Sequence, residues 1–306
     1  MRAFLSAAGA SARAHARVGP GDDCAVLPPC REELCVTTDA VVEGVHFSRP
    51  AFSLEDVGHK ALAVNLSDLA AMGARPLWFT CAVAAPALAV SEARALARGM
   101  GRLARANGCA LVGGNFTRAQ VLSVCITAAG VAPRGAALLR SGARPGDLLF
   151  VSGVLGEARR SLDELAAGRE VPKGDRQRRP VPRVELGLLA RRFARAGMDV
   201  SDGFAQDLGH LCRASGVAAE VDVDTLPGKG HGLAAALAGG EDYELLLAVP
   251  PARAAAFERA CRRAGERVSW VGRFTAGRGV KLRQHGRLLR AQRGHDHFVD
   301  HPADGA

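Results

Sequence analysis

Five acidic clusters could carry chemistry in this chain. Gly21-Asp22-Asp23 sets adjacent carboxylates after a glycine, and such neighbours repel unless a cation sits beside them. Thr37-Thr38-Asp39 brings two hydroxyls and a carboxylate to the end of the run ELCVTT at 33–38, which predicts a strand ending at Asp39. Asp68 lies in NLSDLAAMG, whose small and apolar neighbours demand burial. A carboxylate buried there must meet a metal, a cation or hydrogen-bond donors. Asp199 and Asp202 close a short strand, and Ser201-Asp202 can also cap the helix that follows. Gly239-Gly240-Glu241-Asp242-Tyr243 pairs two acids after two glycines, and Gly113-Gly114-Asn115 repeats that shape with a neutral amide.

Each cluster alone is equally compatible with a turn, a cap or a buried ion pair. Together, acids at strand ends and on a buried helix suit a hard cation with oxygen ligands. Cysteine-histidine zinc spacing is absent. Magnesium is usually shared between a few carboxylates and substrate phosphates, so a nucleotide is the expected substrate. The chain has no G-x-x-x-x-G-K-[ST], no protein-kinase HRD or DFG set and no G-x-S-x-G. Phosphates are therefore expected to enter through metal bridges and arginines, with Arg140 in LLRSGA a candidate clamp.

The elements that must position these clusters mix strands and helices without strict alternation, which predicts an α+β fold. Ser53-x-x-Asp56 reads as a capping box opening a deeply packed helix that Gly73 ends. Strands are expected at 76–85 and 121–131, with a helix over 91–107 between them. The turn-rich stretch at 132–147 marks a domain junction, giving domains at 1–135 and 136–306. Further helices are expected near 184–196, 204–215, 231–238 and 251–264. The basic, proline-containing stretch at 168–183 reads as a mobile loop or lid.

The composition bounds the rest. With 306 residues, 48% of them hydrophobic, the chain can bury two cores. No apolar run reaches the roughly 18 residues that a membrane span needs. The N-terminus lacks a signal-peptide core, so a cytoplasmic location is expected. The eight cysteines are scattered without a C-x-x-C pair and read as buried thiols. The net charge of +9 comes from arginines spread among alanines on helix-like stretches, with few aromatics beside them, so nucleic acid is not the expected partner.

In this order, GDDCAVL, TTDAVVEGVHF, HKALAVNLSDLAAMGARPLW, LVGGNFTR, LRSGARPGD, DVSDGFAQDLGHL, GGEDYELLLAVP and GHDHF resemble the thiamine-monophosphate kinase family over nearly the whole chain. That family belongs to the superfamily of aminoimidazole ribonucleotide synthetase and selenophosphate synthetase. The resemblance implies two α/β domains, a homodimer paired through its N-terminal domains, and ATP-dependent phosphorylation of thiamine monophosphate. It implies magnesium ligands at Asp23, Thr37, Thr38, Asp39, Asp68, Asn115, Asp199 and Asp202. It implies ATP contacts at Gly114, Asn115, Arg140 and Ser201, and substrate contacts at His46, Glu241 and His295. Asn115 stands where the family usually has aspartate, and His295 where it usually has an aromatic residue. Two other readings stay open: a superfamily enzyme acting on another phosphate or acyl substrate, and a nucleotide-binding scaffold without turnover.

Overall fold

The computed structural model describes residues 2–8, 16, 27, 30–172 and 174–289. The described residues form two compact units. One comprises residues up to Leu139 together with Val171–Phe193; the other comprises Arg140–Glu170 and the residues from Ala194 on. A single boundary at 135/136 does not capture the return of Val171–Phe193 to the first unit.

In the first unit, helix α1 (Arg2–Ala8) precedes strand β1 (Glu33–Val42). Helix α2 (Leu54–Ala71), strand β2 (Arg75–Ala85), helix α3 (Val90–Ala106) and strands β3 (Ala110–Arg118) and β4 (Ser123–Ala132) follow. The strands form one sheet in the order β1-β4-β2-β3. The capping box is present: Asp56 N–H donates to the Ser53 hydroxyl, and Ser53 N–H donates to Asp56. As its small residues predict, α2 is buried almost all round. It crosses α3 so closely that a Cβ on Gly58 would lie 2.0 Å from the Leu96 carbonyl oxygen, and one on Gly99 2.0 Å from that of Glu55.

Two expectations need correction here. Strand β1 does not end at Asp39: it pairs with β4 as far as Val42, with Asp39 opposite Ile126. Likewise Gly113-Gly114-Asn115 is not a turn but the middle of β3, paired in parallel with Thr80, Cys81 and Ala82 of β2. Both strands lie at an edge of the sheet, where polar side chains are tolerated. Strand alternation also puts Cys125 on the exposed face, although it was read as a buried thiol.

Within the stretch expected to be a mobile loop, residues 178–180 are held at the start of α2. Arg179 pairs with Asp56 and Glu55, Arg178 donates to the Ala51 carbonyl at 2.7 Å, and His59 Nε2 lies 2.9 Å from the Pro180 carbonyl oxygen. Helix α5 (Val184–Ala190) follows and is shorter than predicted.

In the second unit, strand β5 (Leu148–Ser152), helix α4 (Glu157–Ala166), strand β6 (Ala196–Asp199) and helix α6 (Phe204–Ser215) come first. Strand β7 (Ala218–Asp222), helix α7 (Leu233–Ala238), strand β8 (Leu245–Val249), helix α8 (Pro251–Ala264) and strands β9 (Val268–Thr275), β10 (Gly279–Gln284) and β11 (Arg287–Leu288) complete it. The seven strands order as β11-β10-β7-β9-β5-β8-β6. Leu149 and Val151 of β5 pack with Phe204, Leu208 and Leu211 of α6 in one core. Phe150, on the other side of β5, meets Phe257 of α8 edge to face at 5.4 Å. Helices therefore cover both faces of this sheet.

Candidate active site

The first unit contributes a cluster where β1 passes the last turn of α2. Thr37 Oγ1 donates to Asp68 Oδ2 at 2.5 Å. Asp39, two residues along β1, projects from the same face. Its carboxyl is pushed up to about 7, first by burial and then by the charge of Asp68 and a hydrogen bond shared with it. Asp39 as a whole keeps exposed surface, so the effect belongs to the carboxyl tip held against Asp68. Two carboxylates in contact share a proton or require a cation. The donors gathered here are all oxygens, so the cluster suits magnesium and not a soft metal.

The register separates the other residues expected here. Gly114 lies in the same cross-strand row as Asp39, through Ile126 and Cys81. Thr38 and Asn115 point to the opposite, exposed face, in rows that run through Thr127 and through Cys125 and Ala82. Thr38 Oγ1 lies 3.1 Å from Thr127 Oγ1. The metal ligands expected in this unit are thus split between two faces of one sheet. Asp23 and His295 lie outside the described residues.

His46 sits in the turn after β1. Its Nδ1 accepts from Val42 N–H at 3.2 Å, so the ring proton lies on Nε2. That nitrogen is then a hydrogen-bond donor.

The second unit gathers Asp199, Ser201, Asp202 and Glu241. Asp199 is buried at the end of β6. The turn after it is shaped by Asp207, which the sequence reading did not single out. Asp207 Oδ2 accepts from the N–H groups of Ser201, Asp202 and Gly203 at 3.0, 3.0 and 3.1 Å. Burial, then the charge of Asp202, pushes Asp207 up to about 7 despite those three donors. Asp202, Asp207 and His210 bring ligand atoms within 4.8 Å of one another. Yet His210 Nδ1 lies 2.9 Å from Arg213 Nη2, and a guanidinium only donates. Nδ1 is therefore an acceptor and Nε2 bears the proton, so the group offers two carboxylates and not three ligands. Arg140 lies close enough to help lower the His210 pKa, after burial and Arg213.

Residues 241–244 are zipped to the same turn. Glu241 N–H donates to the Ser201 carbonyl at 2.7 Å, and Tyr243 N–H to that of Val200 at 2.8 Å. Glu241 and Tyr243 both take positive φ, 65° and 51°, a strained backbone of the kind that concentrates at binding sites. Asp242 holds the loop by accepting from Gly156 N–H at 2.8 Å at the start of α4, and burial pushes it up to about 7. Glu244 accepts from the Ser152 hydroxyl at 2.5 Å. A Cβ on Gly153, at φ 53°, would fall 2.0 Å from Glu244 Oε1, so any side chain there is strained and must displace the carboxylate that Ser152 holds. Asp242 was read as one of the paired acids, and Asp207 and Glu244 were legible in principle, because they fall within SDGF-x-x-D and GGEDYE.

Profiles of two families match this chain: AIR synthase related protein, N-terminal domain, over residues 21–132, and AIR synthase related protein, C-terminal domain, over residues 144–285. The thiamine-monophosphate kinase of Salmonella typhimurium is 38% identical over 308 residues, spanning 94% of each chain. The chain belongs to the thiamine-monophosphate kinase family. Among solved structures, the family member from Stenotrophomonas maltophilia matches with a TM-score of 0.81 at 39% identity, over 88% of this chain and 90% of that one. A second, AaThiL complexed with AMPPCP and TMP, matches with a TM-score of 0.75 at 32% identity, over 89% and 90%. The paired carboxylates of β1 and α2, and the turn around Ser201, thus sit on a fold shared with that family.

Proposed function

We propose that this chain transfers the γ-phosphoryl group of ATP directly onto thiamine monophosphate, yielding thiamine diphosphate and ADP. The observation that carries the proposal is the contact of Asp39 with Asp68 beside Thr37, an oxygen cluster in need of a cation. It is supported by a family relative solved with an ATP analogue and TMP. Asp23, Thr37, Thr38, Asp39, Asp68, Asn115, Asp199 and Asp202 are the residues proposed to hold several magnesium ions. Bound there, magnesium would offset the repulsion between two anionic phosphates and align the in-line attack.

The chain's own groups do the rest. The nucleophile is a phosphate oxygen that is already anionic, so no general base is needed. Gly114, Asn115, Arg140 and Ser201 are proposed to bind the nucleotide, with the Arg140 guanidinium on its phosphates. His46, Glu241 and His295 are proposed to hold thiamine monophosphate, the first through its Nε2 proton. The protein is proposed to act as a cytoplasmic homodimer, and no described helix is long and apolar enough to cross a membrane. Incubation with ATP, magnesium and thiamine monophosphate tests the activity: thiamine diphosphate must form. ADP without thiamine diphosphate would point to another acceptor, and nucleotide binding without ADP to a scaffold.

A further inference from the structure

Lys60 has no exposed surface. It lies in α2 among Val57, Ala61 and Val64, all buried and apolar. A buried amino group is strongly unfavourable unless something compensates it. Here Nζ donates to the His46 carbonyl oxygen at 3.0 Å and sits 5.4 Å over the Phe52 ring. Phe52 packs against Phe47 at 6.1 Å, and both are buried beneath the turn that carries His46. The other side of that turn is pinned by Glu43, which accepts from Leu122 N–H at 3.3 Å and pairs with Arg49. Arg49 also reaches Glu92 of α3 at 2.8 Å. The ring of His46 is then oriented by Val42 N–H on Nδ1.

A plug for this space needs no amino group, since methionine would fill it without burying one. One of the donors at the tip of Lys60 serves the His46 backbone. We propose that Lys60 is a positioning residue: it fixes the turn so that His46 presents Nε2–H to the phosphate acceptor. The identity of that acceptor, thiamine monophosphate, rests on the kinase reading above.

Lys60→Met tests the inference. The variant should raise KM for thiamine monophosphate about tenfold, with kcat and KM for ATP within about twofold. On a His46→Ala background the same change should add less than about twofold, because the residue it positions is gone. Phe52→Leu keeps the apolar plug and removes the ring beneath Nζ, so it should raise the same KM about threefold. An unmoved KM for thiamine monophosphate in either variant, equal changes for both substrates, or full additivity with His46→Ala would overturn the inference. A readout independent of turnover is the 15N spectrum of His46. The wild type should show a single tautomer with the proton on Nε2, and Lys60→Met should show averaging. A fixed tautomer retained in Lys60→Met would overturn the positioning role. Absence of thiamine diphosphate with the wild type would instead sink the kinase reading and leave the spectroscopic test standing.

Discussion

Thr37 and Asp68 stand 31 residues apart in the chain, yet the Thr37 hydroxyl donates to Asp68 Oδ2 at 2.5 Å across the β1–α2 interface. The bond fixes one oxygen of a carboxylate that also meets Asp39. Thr37→Val would free Asp68 to rotate. Magnesium affinity should fall about 10- to 100-fold, as for other groups that orient a ligand. Asp68→Asn should cost more, because it also removes charge. Magnesium titration of turnover checks both, and a Thr37→Val protein with wild-type magnesium dependence would show that the bond orients nothing.

The raised carboxyl of Asp39 predicts a pH dependence of metal binding. Its pKa is about 7 in the folded protein against an ordinary value of 3.8. A proton is therefore bound more tightly in the folded state, and this group's contribution to stability is lost as pH rises from about 4 through about 7. Asp207 and Asp242, each also pushed up to about 7, act in the same direction. Magnesium competes with the Asp39 proton, so the gain in Tm on adding magnesium should be larger at pH 8 than at pH 6. Asp39→Asn should abolish the difference. Melting curves with magnesium or a chelator at the two pH values decide the matter.

Asn115 lies on β3 opposite Ala82, on the exposed face of the sheet. An amide oxygen ligates magnesium without adding charge. Asn115→Asp should therefore lower the magnesium concentration needed for half-maximal turnover several-fold, with little effect on Tm because the site is exposed. Unchanged magnesium dependence and turnover would falsify the idea that Asn115 is a neutral magnesium ligand.

The carboxyl of Asp242 separates acceptor from charge. Both its oxygens face N–H groups at the start of α4, from Gly156 and Ala158. Asp242→Ala strands those donors in a buried place and should cost about 2–4 kcal/mol. Asp242→Asn keeps an acceptor and removes a charge that burial opposes. Its NH2 would face the more distant Ala158 N–H, so above pH 7 it should lose some stability, but clearly less than Asp242→Ala. Denaturant unfolding at pH 8 compares the two, and equal losses in both would mean that the charge itself is needed.

Much of this arrangement was legible in the sequence where the cause is local. The capping box at Ser53, the small residues of α2 and Gly73 after it lie within a few positions of what they determine. The extensions of β1 and β3 were not legible, because they depend on pairing with strands distant in sequence. Asp39 faces Ile126 only once β4 has docked, and glycines with an amide look like a turn until β2 lies beside them. The ligands expected at the site were visible as motifs. Their division between two faces of the first sheet was not, because it follows from register.

The clamp on residues 174–183 was invisible for the same reason, since Arg179 reaches partners more than 120 positions earlier. Glu55 is shared among Arg98, Arg102 and Arg179, so the clamp ties the stretch to both α2 and α3 through one carboxylate. Arg179 is only partly exposed, which limits screening, but the net energy of such a pair is small. Its role is to hold a proline-containing stretch that would otherwise be open to proteases. Arg179→Ala should leave Tm within a few degrees while trypsin cleavage within 168–183 speeds up severalfold. Wild-type cleavage rates in the variant would place the hold on this stretch elsewhere, with His59 and the Pro180 carbonyl as the next pair to break.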